Sequence, residues 1–513
     1  MGKSQEKTDS DDLFDTSNIR SDLKGRAVRG GLVTIAGQFV IKVIQLGSTA
    51  VLARLLTPQD YGLFAMIMVV TGFMWIFQDL GLSMATIHRE RITHEQINAL
   101  FWINLGLSLF VMIIVIALAP VLMWFYGEPE LLWLVVALSV GFVFSGLAMQ
   151  LMALLKRQMR FGTLAGLNIT ALGLSVAAGI GTAWMGAGVW ALVYMELTKG
   201  LFIMLIVWVL CPWRPSLPIR FQGVGSMLAF GGNLTGFNVV NYFARGLDKV
   251  LIGRYWGPGQ LGLYSRAYQL MMLPIIQVSA PMATVAIPTL SRLQSDPERF
   301  RRYYLKAISF IAFITMPGVI FMVVMSEEII RLVLGEQWIG ASRIFAVLGI
   351  SALIQPIYNT QGWLHVSIGR TDRAFRWGLV GSAAIIASFF VGVPFGALAV
   401  ASCYTAVMYL IVGPCLWYAG KPIGLKLGLI FSAIWRFLLS SICAGMICRY
   451  IMDVIGISHY LARIGVGLLL LLVTYVTLIT VLYRELSPLK QFVSLLHYIR
   501  GGISSEKQQQ TVW

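Results

Sequence analysis

The sequence predicts an all-α polytopic membrane protein of fourteen transmembrane helices, arranged as two pseudo-symmetric six-helix lobes plus two C-terminal helices. Three observations predict it. Hydrophobic residues make up 58% of the 513 and charged residues 12%, roughly half the charged share of a soluble domain. Runs such as 111–121, 131–143 and 461–483 are almost unbroken apolar sequence, and about 20 such residues cross a bilayer. Finally, two twelve-residue segments two hundred residues apart are alike, with four identical positions.

The elements follow in order. Residues 1–29 are polar and partly acidic, without the basic start and immediate apolar run of a cleaved signal peptide, so they are expected to form a solvated cytoplasmic tail. Apolar runs between charged or Pro/Gly breaks then place spans at 30–53, 61–84, 97–124, 131–154, 163–183 and 187–209, which form an N-lobe over 30–210. An inter-lobe linker, 211–223, leads to spans at 224–252, 260–287, 305–325, 344–366, 376–393 and 396–417, a C-lobe over 224–418. Spans 427–449 and 461–482 complete the set within 427–482, and a tail, 484–513, carries LSPLKQFVSLLHYIR, which reads as an interfacial amphipathic helix.

Loop charge sets the orientation. Lys24, Arg26 and Arg29, then Arg89 and Arg91, Lys156, Arg157 and Arg160, Arg214 and Arg220, Arg299 to Arg302, Arg370 to Arg376, and Lys421 and Lys426 all fall on one side. The alternate connections carry Glu128, Glu130, Glu327, Glu328, Glu336 and Asp453 instead. By the positive-inside rule both termini are cytoplasmic. The net charge of +16 then needs no nucleic-acid partner, because basic loops facing anionic membrane lipids account for it. The five cysteines show no disulfide or zinc spacing and read as small apolar residues.

The repeat pairs ARLLTPQDYGLF (53–64) with GRYWGPGQLGLY (253–264), matching Arg54 with Arg254, Pro58 with Pro258, Gly62 with Gly262 and Leu63 with Leu263. One copy joins spans 1 and 2, the other spans 7 and 8. An even offset of six spans makes them parallel repeats about an axis along the membrane normal.

Ionisable residues inside spans are expensive and usually face a wet cavity or a partner. Lys42 lies twelve residues before Arg54 and Arg245 nine before Arg254, roughly 18 Å and 14 Å deep at 1.5 Å per residue. Gln38, Lys42 and Gln45 share one helical stripe, as do Asn238, Asn241, Arg245 and Asp248. In the repeat register Gln38 answers Asn238, Gln45 answers Arg245 and Ser48 answers Asp248. Arg245 pairing with Asp248 as a structural contact, and Lys249 snorkelling to the surface, are the plainer readings. Lys249 and Arg266 extend the candidate cationic lining, Gln355 and Asn359 the polar lining, Asp79 is a candidate coupling site, and Pro274 and Pro281 are candidate hinge points.

No P-loop, zinc-protease motif or metal-spaced histidine set is present, so no cofactor or metal is expected. The longest outer segment is about 326–343, too short for the outer domain a glycan polymerase or ligase needs, so an enzyme is not expected. A cation-coupled drug or metabolite exporter would favour acidic cavity residues over basic ones.

The stretches ARLLTPQDYGLFAM, QDLGLSMATIHRERITHEQINALFWINL and GRYWGPGQLGLYSRAYQLMMLP, with PTLSRLQSDPERFRRYYLK after them, resemble the polysaccharide transporter family. These are Wzx-type flippases of the multidrug/oligosaccharidyl-lipid/polysaccharide exporter superfamily, and the likeness is nearest to the colanic-acid and teichuronic-acid exporter branch. It runs from about residue 32 to 484. The resemblance implies a bacterial inner-membrane flippase moving undecaprenyl-pyrophosphate-linked oligosaccharide repeats, of exopolysaccharide, capsule or O-antigen (lipopolysaccharide) type, to the outer leaflet by alternating access. It also implies a polysaccharide polymerase and chain-length proteins as candidate partners. Lys42 and Arg245 are then expected to hold the pyrophosphate, and Gln38, Gln45, Asn238 and Asn241 the glycan.

Overall fold

A computed structural model describes the backbone of residues 23–79, 81–88, 92–216, 225–457 and 459–482, and their side chains except those of 23–32, 79, 85, 88, 225–245 and 482. The chain divides into two compact units, residues 1–262 and 263–513. Every regular element among the described residues is a helix. Among the described residues twelve helices are long and apolar enough to cross a membrane, or thirteen if one bent pair counts as a single crossing. The protein is a multi-pass membrane protein.

The first unit holds α1 (Leu23–Leu55), α2 (Pro58–Asp79), α3 (Leu82–His88), α4 (His94–Tyr126), α5 (Leu131–Arg157), α6 (Phe161–Trp184), α7 (Trp190–Leu210) and the start of α8 (Gly225–Arg292). One span is expected over 61–84, but the helix ends at Asp79 and resumes at Leu82. Gly81 between them sits at φ 69°, a left-handed turn that interrupts the helix. Thr93 and Gln96 form a reciprocal capping box that starts α4. Lipid tails are as apolar as leucine, so helices in a membrane are held by close packing and buried hydrogen bonds more than by apolar burial. Gly146 of α5 illustrates this, because a methyl group there would overlap the Ser108 side chain of α4. Gln78 of α2 is buried beside this contact and donates Nε2–H bonds to Ser108 Oγ (2.8 Å) and the Phe142 carbonyl (2.7 Å). After α7 the chain is pinned back onto α4: Trp102 Nε1 donates to the Ser216 carbonyl at 2.7 Å, and the Ser216 amide donates to Asn98 Oδ1 at 2.8 Å.

The second unit continues α8 and adds α9 (Pro297–Val324), α10 (Ser326–Val333), α11 (Ala341–Ala352), α12 (Gln355–Asn359), α13 (Gln361–Ser367), α14 (Thr371–Gly392), α15 (Ala397–Gly420), α16 (Leu427–Ile455) and α17 (Tyr460–Thr477). The span expected at 344–366 is bent by 48° between α11 and the α12–α13 segment. Pro356 explains it: proline lacks the amide proton and its ring clashes with the carbonyl four residues back, that of Ala352, where α11 stops. The last two helices lie against α9. Ser309 Oγ donates to the Ala433 carbonyl (3.0 Å), Tyr475 OH to the Phe313 carbonyl (2.9 Å), and Gly445 leaves room for Ile320. An ion chain, Glu328–Arg463 at 3.2 Å, Arg463–Asp453 at 3.1 Å and Asp453–Arg449 at 3.1 Å, joins α10 to α16 and α17. All five cysteines are free thiols.

The helical backbone of α8 runs on through Pro274 and Pro281, and its non-helical residue is Gly257 (φ 73°, ψ −179°).

Candidate functional site

The repeated segment forms the same turn twice by different means. In the first copy Thr57 precedes Pro58, the first residue of α2. Asp60 Oδ2 accepts from the Thr57 amide (2.8 Å) and hydroxyl (2.7 Å), while the Asp60 amide donates to Thr57 Oγ1 (3.2 Å). That is a capped helix start with proline in the position it tolerates best. In the second copy Gly257 makes the turn with its backbone alone, followed by Pro258.

The two copies also touch. A methyl group built on Gly62 would overlap the carbonyl of Pro258, and one on Gly262 would overlap the carbonyl of Pro58 and approach the Gly62 amide nitrogen to 3.2 Å. Each copy's glycine receives the other's proline carbonyl, a reciprocal contact with local two-fold character that leaves no room for a side chain on either side.

On α1 the predicted stripe is partly assembled. Lys42 Nζ donates to Gln45 Oε1 at 3.1 Å. Ser48 Oγ donates to the Gln45 carbonyl at 2.9 Å, and Gln38 is exposed one turn before Lys42. On α8 the side chains of Asn238, Asn241 and Arg245 lie outside the described residues, as does that of Asp79 at the end of α2. Asp248 is buried, and Lys249 beside it is half-buried. In the second unit Arg266 Nη1 donates to Gln269 Oε1 at 2.6 Å. There Gln355 Nε2 donates to Tyr404 OH at 3.3 Å, while Asn359, one turn further on, is exposed.

The first unit also holds a cavity of about 400 Å³ between α2, α5 and α7, which the sequence alone does not reveal. Residues 138, 141, 142, 145, 148, 149, 152, 153 and 156 of α5 line it. Their steps of one and three residues trace a single helical face, about 27 Å long at 1.5 Å per residue. Met68 and Trp75 of α2, Phe142 and Met152 of α5 and Ile203 of α7 make the wall largely apolar. Against it stand three charges: Lys156, and Glu196 paired with Lys199 at 3.3 Å. Lys199 is nine residues into α7 and eleven from its end, about 14 Å and 17 Å from either terminus, and so near mid-membrane. Opposite charges three residues apart in an apolar run are the signal that could have found the pair.

Residues 51–343 match the family described as "Polysaccharide biosynthesis protein". The teichuronic acid biosynthesis protein TuaB of Bacillus subtilis (strain 168) is 28% identical over 82% of this chain and 87% of its own length. The lipopolysaccharide biosynthesis protein WzxC of Escherichia coli (strain K12) is 25% identical over 72% of this chain and 76% of its own. The succinoglycan biosynthesis transport protein ExoT of Rhizobium meliloti (strain 1021) is 21% identical over 92% and 95%. Among solved structures, the lipid II flippase MurJ in an inward closed conformation superposes with a TM-score of 0.72 at 14% identity, covering 89% of this chain and 99% of that one. At that identity the likeness is one of fold. With more than half of its residues matched, the chain belongs to the polysaccharide biosynthesis protein family.

Proposed function

We propose that this protein is a flippase that carries polyprenyl-pyrophosphate-linked oligosaccharide from the cytoplasmic to the outer leaflet of a bacterial inner membrane by alternating access. The observation that carries the reading is the intramembrane cavity with Lys156 and Lys199 on its wall, in a member of the polysaccharide biosynthesis family. A lipid-linked sugar brings an anionic diphosphate and a polar glycan into the membrane. Ammonium groups, hydroxyls and amides inside the spans are what such a cargo needs. Lys42 and Gln45 on α1 offer a second polar station, with Arg245, Lys249 and Arg266 as further cations and Asn238, Asn241, Asp248, Gln355 and Asn359 as polar lining.

The crossing count we infer is fourteen. Gly246–Arg292 counts as one span, yet it belongs to the 68-residue α8, which at 1.5 Å per residue measures about 100 Å, more than three times a bilayer core of about 30 Å. Split at Gly257, α8 gives two crossings, and the bent pair α11 with α12–α13 supplies one more. Loop charge then puts both termini in the cytoplasm and the repeat junction on the outer side. In that orientation the Gly62–Pro258 and Gly262–Pro58 contacts form an outer seal that parts to release cargo.

The test is leaflet-specific accessibility of lipid-linked oligosaccharide in cells lacking the gene, complemented with wild type. Accumulation on the inner leaflet, relieved by wild type, is the expected result. Substrate that reaches the outer leaflet normally but stays as single repeats overturns the reading in favour of a role in polymerisation.

A further inference from the structure

The cavity between α2, α5 and α7 poses a question that the proposed transport leaves open. A cation deep in the membrane that attracts a diphosphate would also retain it. The pair at 3.3 Å suggests how retention is limited.

We propose that Glu196 is a built-in competitor for Lys199: in the empty cavity its carboxylate occupies the ammonium group, an arriving diphosphate displaces it, and its return expels the diphosphate. This rests on the flippase reading and adds to it a specific headgroup station and a release device. Three features support it. Glu196 and Lys199 sit on the cavity wall, not in a closed core, and both side chains keep accessible surface, 23% and 39%. The pair is local, one helical turn within α7, so breaking it moves no helix. Lys156 lies at the far end of the same α5 face, at the terminus of its helix. An anion entering there meets Lys156, which has no ion-pair partner among the described residues, then moves along the wall to a second cation that is already engaged.

The physical logic is exchange, not addition. A carboxylate and a phosphate oxygen make the same charge-assisted hydrogen bond to an ammonium group. Exchanging one for the other therefore changes the energy far less than filling an empty cationic site would. Binding stays weak enough to reverse at mid-membrane, and the displaced Glu196 remains tethered one turn away to reclaim Lys199. The apolar remainder of the wall, Trp75, Phe142 and Met152 among it, suits the isoprenoid carbons next to the headgroup.

The experiment is binding of polyprenyl diphosphate to the purified full-length protein, with phosphatidylglycerol and inorganic pyrophosphate as the comparison ligands. Wild type should prefer the polyprenyl diphosphate, and inorganic pyrophosphate should compete with it. Lys199→Gln should weaken it about ten- to a hundredfold, the range for one hydrogen bond to a charged group. Glu196→Gln, which keeps the shape and removes the competitor, should tighten it about tenfold and slow its dissociation. The double variant should behave as Lys199→Gln does. If Glu196→Gln weakens binding as Lys199→Gln does, the carboxylate is a structural partner and the proposal falls. Equal affinity for phosphatidylglycerol overturns the diphosphate assignment. Wild-type binding and normal leaflet transfer in the double variant also overturn it while leaving the flippase reading intact. Normal transfer in cells lacking the gene sinks the flippase reading itself.

Discussion

The two copies of the repeat make the same turn with different chemistry. In the first, Thr57 and Asp60 exchange three hydrogen bonds of 2.7–3.2 Å around the start of α2. Asp60 also lies close to the turn before α7, where a methyl group on Gly188 would come within 3.1 Å of its Oδ1. In the second, Gln260 stands where Asp60 would be and Gly257 stands for Thr57, so the turn relies on a conformation that only glycine adopts readily. The copies share Arg54 with Arg254, Pro58 with Pro258, Gly62 with Gly262 and Leu63 with Leu263, and the prolines and glycines among these are the residues whose backbones meet. The positions where one copy touches the other are identical, while the capping chemistry that ends one helix and starts the next differs.

That comparison can be broken most forcefully at its shared residues. Gly62→Ala and Gly262→Ala each put a methyl group inside a carbonyl of the opposite copy. Each is expected to destabilise the closed junction by about 1–3 kcal/mol, the range for overpacking. The double variant should cost little more than either single one, because helices already forced apart make room for the second methyl. Thermal unfolding in detergent reads the stability, and cross-linking between cysteines introduced at positions 59 and 259 reads the separation. Full additivity in the double variant would mean that the two glycines do not share one interface.

Exchanging the turn chemistry sharpens the contrast. Gly257→Thr places a β-branched residue at φ 73° and ψ −179°, a region close to glycine-only, and should cost about 1–3 kcal/mol. The reverse exchange, Thr57→Gly, should cost only a few tenths of a kcal/mol, since glycine is nearly as good a helix cap. Equal effects on the unfolding midpoint would remove the distinction drawn between the copies. Thr57→Ala, which takes the Thr57 Oγ1 acceptor from the Asp60 amide, should fall between them at about 1 kcal/mol. A modest effect, above that of Thr57→Gly, is expected from Phe125→Leu. This removes the ring over which the Arg254 guanidinium lies at 5.6 Å, worth roughly 0.5–1 kcal/mol at an accessible site.

Much of this architecture is legible in the sequence, because bilayer thickness forces apolar runs of countable length. On α1 the spacing anticipates one local contact: residues three apart on a helix are neighbours, and Lys42 and Gln45 are joined at 3.1 Å. The bends are legible only once their agents are recognised. Gly81 and Pro356 lie inside apolar runs that hydropathy alone reads as continuous. The Glu196–Lys199 pair is marked only by two opposite charges three residues apart, and its cavity exists only when α2, α5 and α7 come together. The repeat is visible as similarity, yet similarity predicts equivalent positions and says nothing of mutual contact. The carbonyls of Pro58 and Pro258 resting against the opposite glycines are a tertiary fact.

That mutual contact has a consequence for inheritance. Duplicated segments ordinarily drift apart, because each answers to its own surroundings. Here each copy is the other's surroundings: the space left by Gly62 is filled by Pro258 and the space left by Gly262 by Pro58. A larger residue arising in one half of the gene is rejected by the unchanged other half, and no single step in either half can relieve it. The prolines and glycines are therefore held to their present size by each other, a constraint that keeps these positions of two segments two hundred residues apart alike.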